Sequence, residues 1–568
     1  MIAWGFGLEH GLSKELRVIP IGGLGEFGMN MLALESGDDV ILIDAGSLFP
    51  GEEHRGIDVI VPDFAYLESR RDNVRGLILT HAHLDHIGAV PHLLAKLDIP
   101  VYGTAFTLGL VRKQVSEFTL VRRPRLNTVR PGEKIALGCF EIEGIHVTHS
   151  TVQCMALAVS TPMGYVIHTG DFKIDQTPID ERAFDFAKFA EYGQRGVLLM
   201  LSDSTNSDVP GFSRSERDVG LALDDIFAHA DNALFFSCFS SAIHRVQQIV
   251  DRAVAYGRKV AFVGRSVSSA CEIASDLSLL RLPPGTVVQP RDLASYPRRD
   301  RATIIAGSQG EPMSSLSRAS LGRHNKVEIE EGDTVAISAK MIPGNERPIY
   351  RMVDHLYRRG ARVLYGDTFP NLHVSGHPCQ EELKLILNLI RPRYFVPVHG
   401  EYRQLAQHRS LAMQVRGSDL DDALVIENGS VLQFDEHGAR VLPDKVPVGH
   451  ALIDSGTGDH IIRQAVMRDR RHLSQSGVLV PVITIDERSG EAVDIEIMSR
   501  GFVVSEDSES MLEGAKQVIR ETVKGSTGEE IGDIGVMEER ISVDVRRYVS
   551  RKTSRQSQPL IVPVILEG

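Results

Sequence analysis

The segment HAHLDH, residues 81–86, brings three imidazoles and one carboxylate together within six residues. These are the nitrogen and oxygen donors that zinc takes in proteins, at about 2.0 to 2.2 Å. The segment follows residues 74–80, an apolar run predicted as a buried strand, so its side chains project from a loop held by a rigid element. The alternative is a polar surface turn that happens to be rich in histidine. With 21 histidines in 568 residues, so dense a chance cluster would be rare, and the segment is interpreted as a metal site.

Further potential ligands occur singly along the chain. His149, Asp171 and His399 each directly follow a short apolar run that is predicted as a strand. Taken alone, each is more typical of a structural residue than of a ligand. Their recurrence at the same end of successive strands suggests that they join the first cluster.

A glycine pattern near the start invites a different interpretation. GLGEFG, residues 23–28, matches the dinucleotide-binding fingerprint, and Asp44 lies about where a ribose-binding acid would be. That fingerprint requires a helix after its third glycine, whereas residues 29–35 and 40–44 are predicted as two strands joined by a turn. The glycines are therefore interpreted as turn formers.

The composition is that of an ordinary globular protein, with 42% hydrophobic and 24% charged residues. A net charge of −13 excludes indiscriminate, polycation-like binding of nucleic acid but leaves local basic clefts open. Five scattered cysteines without a CxxC pair argue against a disulfide framework or a thiolate zinc site. The first residues lack the pattern of a secretory signal, and no run approaches the ~18 apolar residues of a membrane span. A cytoplasmic protein with no membrane association is expected.

The pattern of elements changes along the chain. Residues 213–366 alternate helices and strands, which predicts a doubly wound insert with a parallel sheet. From residue 361 the strands followed by histidine-rich loops return, so the insert is expected to interrupt the first domain. The predicted domains are a first domain in two parts, residues 1–212 and 363–449, an insert at residues 213–362, and a linker with a small C-terminal α+β domain at residues 450–568.

Taken together, HxHxDH, His149, TGD at residues 169–171 and VHG at residues 398–400 resemble the metallo-β-lactamase fold, and the insert resembles a β-CASP domain. Four longer motifs narrow the resemblance to the ribonuclease J family over residues 16–471: GGLGEFGMN at 22–30, SDSTN at 202–206, HVSGH at 373–377 and PVHGEY at 397–402. The resemblance implies an α/β chain, with an αββα sandwich, an inserted parallel α/β β-CASP domain and a C-terminal α+β domain.

The resemblance also implies two bound zinc ions, with manganese able to replace them, and assigns their ligands by matching position. The implied ligands are His81, His83 and His149 for one ion, Asp85, His86 and His399 for the other, and Asp171 between the two. A pair of ions of this kind can make hydroxide available near neutral pH and neutralise charge around an attacked phosphorus. Asp85 is thereby also assigned a catalytic role, and Asp44 is expected to orient ligands without binding metal itself.

Two further roles are implied by segments that match the family's β-CASP motifs. His377 would protonate the departing 3′ oxygen, and Asp203 would orient it through a hydrogen bond. The alternative for Asp203 is that it only caps a turn at residues 204–206. The loop that contains His377 would bind the RNA backbone and recognise a 5′ monophosphate, because hydroxyl, imidazole and backbone N–H groups can donate hydrogen bonds to an anion. Its residues are His373, Val374, Ser375, Gly376 and His377.

The function expected from the resemblance is 5′-to-3′ degradation of monophosphorylated single-stranded RNA, with additional internal cleavage, in RNA maturation and decay. A homodimer or homotetramer, and partners in an RNA-decay complex, would accompany it. The alternatives are a DNA-preferring β-CASP nuclease, a noncatalytic β-CASP partner subunit, and a small-molecule hydrolase, which would have no use for the insert. Residues 151–153, Thr-Val-Gln, depart from the family's usual Ile-Pro-Asp, which leaves the balance of exonuclease and endonuclease action open.

Overall fold

The structure is a computed structural model that describes most of the chain. The described residues are 15–51, 54, 56–118, 123–311, 313–342, 344–369, 371–416, 420–454, 460–462, 464–486, 489–502, 508–531, 533–552 and 559–567. The chain divides into two units, Met1–Phe49 with Val59–Ala451 and Pro50–Asp58 with Leu452–Gly568, and each is described by itself.

Two β-sheets form the centre of the first unit. Within the described ranges one sheet has eight strands, in the spatial order Gly438–Val441, Leu432–Asp435, Leu16–Gly22, Met31–Ser36, Asp39–Ile43, Val74–Ile78, Val101–Gly103 and Leu126–Thr128. The other, counted over the same ranges, has seven strands, in the order Asp422–Ala423, Pro392–Val398, Val197–Asp203, Gly164–His168, Met155–Thr161, Phe140–His146 and Lys134–Leu137.

The two sheets face one another across a shared hydrophobic core. Val18, Leu34 and Ile41 from the first sheet and Leu157 and Leu199 from the second are buried in it. The helices of this part of the unit are Ala65–Ser69, Leu84–Ile87, Val90–Lys96, Ala105–Ser116, Phe186–Arg195, Gln380–Ile390 and Tyr402–Arg416. A further core packs the last helices against the second sheet, so the predicted αββα sandwich is confirmed.

The first strands also show which structure surrounds the glycine pattern at residues 23–28. Leu16–Gly22 pairs antiparallel with Met31–Ser36, and the latter pairs antiparallel with Asp39–Ile43. Residues 23–28 form bends and two isolated β-bridges to Gly400, and a strand follows them where a dinucleotide-binding loop would need a helix. The interpretation of these glycines as turn formers agrees with this arrangement.

The insert has the predicted parallel sheet, flanked by helices. Its strands, in spatial order, are Lys259–Val263, Arg301–Ile305, Leu234–Ser237, Thr334–Ile337 and Arg362–Tyr365. Its helices are Val219–Ala228, Ile243–Ala255, Arg265–Asp276, Pro290–Leu293, Ser315–Ser320 and Glu346–Arg358, with 3₁₀ turns at Glu216–Asp218, Arg298–Asp300 and Gly366–Thr368.

One strand differs from its sequence assignment. Sequence analysis places residues 361–365 in the returning first domain, but Arg362–Tyr365 pairs in parallel with Thr334–Ile337 of the insert sheet. The helix Glu346–Arg358 connects these two strands, so that together they form a βαβ crossover. A boundary after residue 362 would therefore cut through a strand of the insert. The other domain limits stay predictions.

The second unit contains a small mixed α/β structure. Strand Val478–Ile485 pairs antiparallel with Ala492–Arg500 and in parallel with the short strands Leu560–Ile561 and Val564–Glu567. Its helices are Gln464–Ser476, Ser508–Lys524, Gly528–Ile531 and Ile534–Lys552. None of the helices in the described parts of either unit is both long enough and apolar enough to cross a bilayer.

Candidate metal centre

The predicted ligands lie on loops that follow strands of the two sheets. The HAHLDH segment follows Val74–Ile78, and its last residues begin a short helix, Leu84–Ile87. His149 follows Phe140–His146, Asp171 follows Gly164–His168, and His399 directly follows Pro392–Val398. The seven side chains are brought together in two groups that share Asp171, and within each group the ligand atoms lie within 4.8 Å of one another.

The first group contains three histidines and the shared carboxylate. Nδ1 of His83 lies 3.0 Å from Nε2 of His81 and 3.1 Å from Nε2 of His149. Oδ2 of Asp171 is 3.6 Å from Nε2 of His81 and 3.9 Å from Nε2 of His149. Three ring nitrogens and one carboxylate oxygen therefore face a common centre.

The second group uses the same oxygen of Asp171. Nε2 of His399 lies 3.3 Å from Oδ2 of Asp85 and 3.4 Å from Oδ2 of Asp171. Nε2 of His86 lies 3.3 Å from that same oxygen of Asp171. Two carboxylates and two imidazoles thus surround a second centre, with Asp171 between the two groups.

The donor sets fit metal cations. Among the described residues, Oδ2 of Asp171 is buried without a hydrogen-bond partner, although several imidazoles surround it. Burial lowers the pKa of His81 and of His149 well below the usual value, and it lowers the pKa of His83 to about 4. The nitrogens of the first group therefore stay neutral, and facing lone pairs around a carboxylate need a cation between them. In the second group burial lowers the pKa of His86 and of His399, but the Asp171 carboxylate outweighs it and raises both, that of His399 to about 9, so this group also attracts positive charge.

The outer nitrogens of two histidines contact groups that can hold the rings in place. Nδ1 of His86 is 2.8 Å from Oδ2 of Asp44, which also accepts from the hydroxyl of Thr80. A carboxylate only accepts, so Nδ1 carries the proton and Nε2 offers its lone pair to the cluster. The orienting role predicted for Asp44 is consistent with this contact. In the same way, the hydroxyl oxygen of Thr205 lies 2.7 Å from Nδ1 of His399.

His377 lies beside the cluster, next to Asp203. Its Nδ1 is 2.8 Å from Oδ2 of Asp203, a residue that is fully buried. The other oxygen, Oδ1, accepts from the backbone N–H and the hydroxyl of Thr205. Asp203 therefore contacts the ring of His377 through one oxygen and the turn at residues 204–206 through the other, and its orienting role stays a prediction.

The HVSGH loop contacts the cluster through its backbone. The carbonyl oxygen of Gly376 lies 2.6 Å from Nδ1 of His149. The hydroxyl oxygen of Ser375 accepts from Nδ2 of Asn206 and from the N–H of His377, at 2.8 and 3.2 Å, which leaves its own O–H to donate. His373 and Val374, the other two residues of the loop, differ in whether their side chains could contact a ligand. Nδ1 of His373 is buried and has no hydrogen-bond partner in the described part of the chain, whereas the Val374 side chain packs in the core of the insert and leaves only its backbone for a ligand.

Several supporting residues escape the sequence analysis. Nδ2 of Asn30 donates to the Asp85 carbonyl at 3.1 Å, and Glu382 is a fully buried carboxylate that accepts from three separate segments. The donors to Glu382 are the N–H groups of Ile174, Ser213 and Cys379 and the hydroxyl of Ser213, at 2.6 to 2.8 Å. A glutamate three positions after a helix N-cap is a recognisable signal for the Cys379 contact, but the other two contacts join residues too far apart for any local pattern to predict.

The loop at residues 151–153, where the sequence departs from the family, forms hydrogen bonds both to the insert and to the helix Ala105–Ser116. The hydroxyl of Thr151 donates to the carbonyl of Ser241 in the insert at 2.8 Å. The side-chain oxygen of Gln153 accepts from the N–H of Phe106 at 2.9 Å, and Val152 is buried in the core of the insert. The loop therefore has buried contacts of its own in place of the family's proline and carboxylate.

The fold and the paired ligand groups define a class: a metallo-β-lactamase-type hydrolase that carries a β-CASP insert. Family models agree with this division of the chain. The Metallo-beta-lactamase superfamily matches residues 24–203, the Ribonuclease J beta-CASP domain residues 231–356, the Zn-dependent metallo-hydrolase RNA specificity domain residues 367–421, and the Ribonuclease J C-terminal domain residues 465–568.

Relatives that match over nearly the full chain identify the family. The chain is 37% identical to Ribonuclease J2 of Bacillus subtilis over 98% of its own length and 99% of the relative's. It is 36% identical to Ribonuclease J of Synechocystis, covering 97% of this chain and 86% of the relative, and to Ribonuclease J of Thermus thermophilus, covering 99% and 97%. The chain belongs to the ribonuclease J family. Membership and the histidine and aspartate groups together imply a metal-dependent RNA nuclease with a dinuclear site.

Proposed function

We propose that this protein removes nucleotides from the 5′ end of single-stranded RNA, prefers a 5′ monophosphate, and also cuts RNA internally. The observation that carries the proposal is the hydrogen bond between Nδ1 of His149 and the carbonyl of Gly376. It joins the candidate metal centre directly to the loop proposed to bind phosphate. An anion pocket at a fixed short distance from the reacting centre would hold the 5′ phosphate, so that the bond next to the 5′ end is the one cleaved.

The proposed pocket is supported by its donors. The hydroxyl of Ser375 is free to donate after accepting two hydrogen bonds, and the buried imidazole of His373 has an unused nitrogen in the described part of the chain. Backbone N–H groups in a glycine-containing loop add further donors for phosphate oxygens. A 5′ triphosphate is larger and a 5′ hydroxyl has no charge, so both ends should bind less well than a monophosphate.

In the proposed reaction, water adds to the phosphorus between the first two nucleotides and the bond from phosphorus to the first 3′ oxygen breaks. Divalent cations held by the seven ligands would lower the pKa of water and neutralise charge on the phosphate. Asp203 accepts from Nδ1 of His377, so Nε2 of His377 is the nitrogen that would give a proton to the departing 3′ oxygen. The shortened RNA again carries a 5′ monophosphate and can re-enter the pocket.

Three further attributes belong to the proposal. Zinc is proposed as the metal, with manganese able to replace it, because mixed nitrogen and oxygen sites accept both. A homodimer or homotetramer that joins RNA-decay partners is proposed from family membership. A reducing compartment, the cytoplasm, is proposed because all five cysteines are free thiols.

The test is degradation of 5′-labelled RNA that carries a monophosphate, a triphosphate or a hydroxyl, with DNA of the same sequence alongside. Early release of labelled mononucleotide, mainly from the monophosphorylated RNA, is the expected result. His81→Ala serves as the null variant, and residual activity in it would reveal a contaminant. Equal cutting of DNA would favour a DNA-preferring nuclease, and inactivity of the wild type on every substrate would favour a noncatalytic partner subunit.

A further inference from the structure

We propose that Lys340 binds the 5′ phosphate of the RNA and selects a charged 5′ end over an uncharged one. The proposal rests on the proposed function, because it adds a residue to the phosphate pocket inferred there. It deepens that function by naming the source of the pocket's positive charge. The Ser375 hydroxyl and the backbone N–H groups of the HVSGH loop are neutral donors, so they do not supply it.

Lys340 lies at the edge of the insert sheet where the HVSGH loop is attached. It follows the strand Thr334–Ile337 by three residues. The hydroxyl of Ser338, next to that strand, donates to the carbonyl of Leu372 at 2.5 Å, and Leu372 directly precedes the loop. In a parallel sheet, the loops at the carboxyl ends of the strands line the ligand-binding cleft.

The backbone of Lys340 is fixed while its side chain is exposed. Nε2 of Gln309 donates to the carbonyl of Lys340 at 3.0 Å, and Oε1 of Gln309 accepts from the N–H of Ile342 at 2.9 Å. Gln309 is buried, so both hydrogen bonds are sheltered from water, whereas Lys340 is exposed. A side chain of this kind can present its ammonium group to a ligand from a fixed position.

Three cationic side chains lie close to the imidazole of His373. Burial lowers the pKa of His373 well below its usual value, and the charges of Arg245, Lys340 and Lys173 lower it further. The imidazole therefore stays neutral near pH 7. Positive charge for an anion beside His373 must come from these three neighbours.

The charge of Lys340 also acts on the other end of the loop. Burial and the carboxylate of Glu382 raise the pKa of Cys379 to about 11, and the charge of Lys340 opposes this rise. Cys379 follows the last residue of the HVSGH loop by two positions. A side chain that acts on both His373 and Cys379 lies beside the loop itself.

Two of the three cations are already neutralised by buried carboxylates. Nε and Nη2 of Arg245 donate to the two carboxylate oxygens of Glu216 at 2.5 and 2.8 Å. Nζ of Lys173 lies 3.4 Å from Oδ2 of Asp175. All four of these residues are buried. Lys340 forms no ion pair with any residue in the described ranges, so it is the cation that is available to a ligand.

Two acids lie on the loops next to Lys340, and their side chains are engaged elsewhere. Oε2 of Glu346 accepts from the N–H of Gly344 at 2.8 Å. Burial raises the pKa of Glu311, and backbone hydrogen bonds to its carboxylate oppose that rise. Neither acid pairs with Lys340 within the part of the chain that the structure describes.

The charge of the RNA end decides how much Lys340 contributes. A phosphate monoester carries about −1.5 to −2 charges at pH 7, and a 5′ hydroxyl carries none. A hydrogen bond from an ammonium group to a phosphate oxygen is roughly twice as strong as one between neutral groups. Lys340 should therefore strengthen the binding of a monophosphorylated end and leave the binding of a hydroxyl end unchanged.

The test isolates the terminal phosphate from the rest of the RNA. The probe is a trinucleotide with uncharged methylphosphonate linkages, which resist cleavage, so that a 5′ monophosphate is its only charged group. The same trinucleotide with a 5′ hydroxyl is the reference. Isothermal titration calorimetry measures the binding of each to the metal-loaded wild type, to Lys340→Gln and to Lys340→Arg.

Lys259→Gln is the matched control, because it removes the same charge from the same sheet. Lys259 begins the strand Lys259–Val263, whereas Lys340 follows the end of the strand Thr334–Ile337. Since the strands of this sheet run parallel, the two lysines lie at opposite edges. The control should bind both trinucleotides as the wild type does.

The expected loss is confined to one ligand and one variant. Lys340→Gln should bind the monophosphorylated trinucleotide about tenfold more weakly, the usual effect of losing a hydrogen bond to a charged group. Its binding of the hydroxyl trinucleotide should be unchanged. Lys340→Arg keeps the charge and should stay within about threefold of wild type. With ordinary monophosphorylated RNA, Lys340→Gln should raise KM about tenfold and leave kcat within about twofold.

Three results would overturn the proposal: unchanged binding of the monophosphorylated trinucleotide in Lys340→Gln, an equal loss with the hydroxyl trinucleotide, or an equal loss in Lys259→Gln. The proposed function fails separately. A wild type that degrades every RNA end equally, while Lys340→Gln still loses affinity for the monophosphorylated trinucleotide, would contradict the proposed function and leave the role of Lys340 supported.

Discussion

Nδ1 of His149 lies 2.6 Å from the carbonyl oxygen of Gly376, 227 positions further along the chain. Because a carbonyl oxygen can only accept, Nδ1 carries the proton and the lone pair of Nε2 points toward His83 and Asp171. One hydrogen bond thus selects the tautomer of a candidate metal ligand and holds the loop that is proposed to bind phosphate beside it. Metal binding and substrate binding should therefore depend on each other.

Gly376→Ala should disturb both functions at once. An added Cβ would lie 2.7 Å from Oγ of Ser150 and 2.8 Å from the His149 ring, so the ring must move. We expect bound metal to fall by about one ion per chain and nuclease activity to fall by at least about tenfold, since the ligand leaves its position. Elemental analysis and RNA degradation measure the two effects.

Gly449→Ala is the matched control for this substitution, because no atom lies within 4 Å of the added Cβ and the backbone does not require glycine there. It should keep the metal content and the activity of the wild type. Full metal content in Gly376→Ala would contradict the coupling between His149 and the loop.

The proton-donor role of His377 can be tested by changing the leaving group. His377→Ala should slow cleavage of ordinary RNA by about 10²- to 10⁴-fold, the usual contribution of a general acid. A substrate with sulfur in place of the 3′ bridging oxygen leaves as a thiolate, which is far less basic than an alkoxide and needs no proton. On that substrate the variant should come within about tenfold of wild type.

Asp85→Asn provides the comparison for the sulfur substrate. It removes charge from the second ligand group, where Oδ2 of Asp85 lies 3.3 Å from Nε2 of His399. Its defect should persist with either leaving group. An equally large defect of His377→Ala on both substrates would exclude proton donation as its main role.

Glu382→Gln should destabilise the first unit. The buried carboxylate accepts from the N–H groups of Ile174, Ser213 and Cys379, and an amide NH₂ in its place would face at least one of these donors. Leaving a buried donor unpaired costs about 1 to 3 kcal/mol, which corresponds to a fall of about 5 °C in the thermal midpoint. Differential scanning calorimetry measures the shift.

Glu381→Gln is the neighbouring control, because that side chain is 42% exposed and pairs with Lys384 at the surface. Its midpoint should stay within about 1 °C of wild type, as is typical of exposed ion pairs. Equal shifts in the two variants would contradict the role given to Glu382.

The cysteines should react slowly in the folded protein. Burial, with the charge of Asp39 nearby, raises the pKa of Cys139 to about 11, and burial raises the pKa of Cys238 to about 11. The thiolate is the reactive form, so alkylation by iodoacetamide at pH 8 should be far slower than in unfolded protein and should rise steeply above pH 9. Mass spectrometry of the alkylated chain counts the modified sites. A cysteine that reacts as fast folded as unfolded would contradict this burial.

Local patterns predict much of the fold and the cluster. HAHLDH combines six adjacent residues at the end of a strand, and His149, Asp171 and His399 each follow a strand. This spacing indicates potential ligands, and the family resemblance assigns all seven of them to two groups, which the structure brings together. The contacts of Thr205 with His399 and of Glu382 with Ile174 and Ser213 are missed because they join segments far apart in the chain, and a single sequence carries no signal for such pairs.

The error at the insert boundary has a different origin. The helix Glu346–Arg358 was not predicted, so the crossover that carries the chain into Arg362–Tyr365 was not recognised. Its signal was present, because Ile349, Met352, Val353 and Leu356 follow the spacing of one helix face. Sequence analysis follows the alternation to residue 366 yet ends the insert at residue 362, and that helix would have assigned Arg362–Tyr365 to the insert.

The most direct test of the account is the number of metal ions bound per chain, measured by elemental analysis of the purified protein after dialysis. The account predicts two ions for the wild type and for His437→Ala, whose side chain is 77% exposed at the surface. It predicts one ion for His83→Ala, which belongs to one group only, and less than one for Asp171→Asn, which belongs to both. A wild type with no ion or only one, or two ions retained in Asp171→Asn, would contradict it.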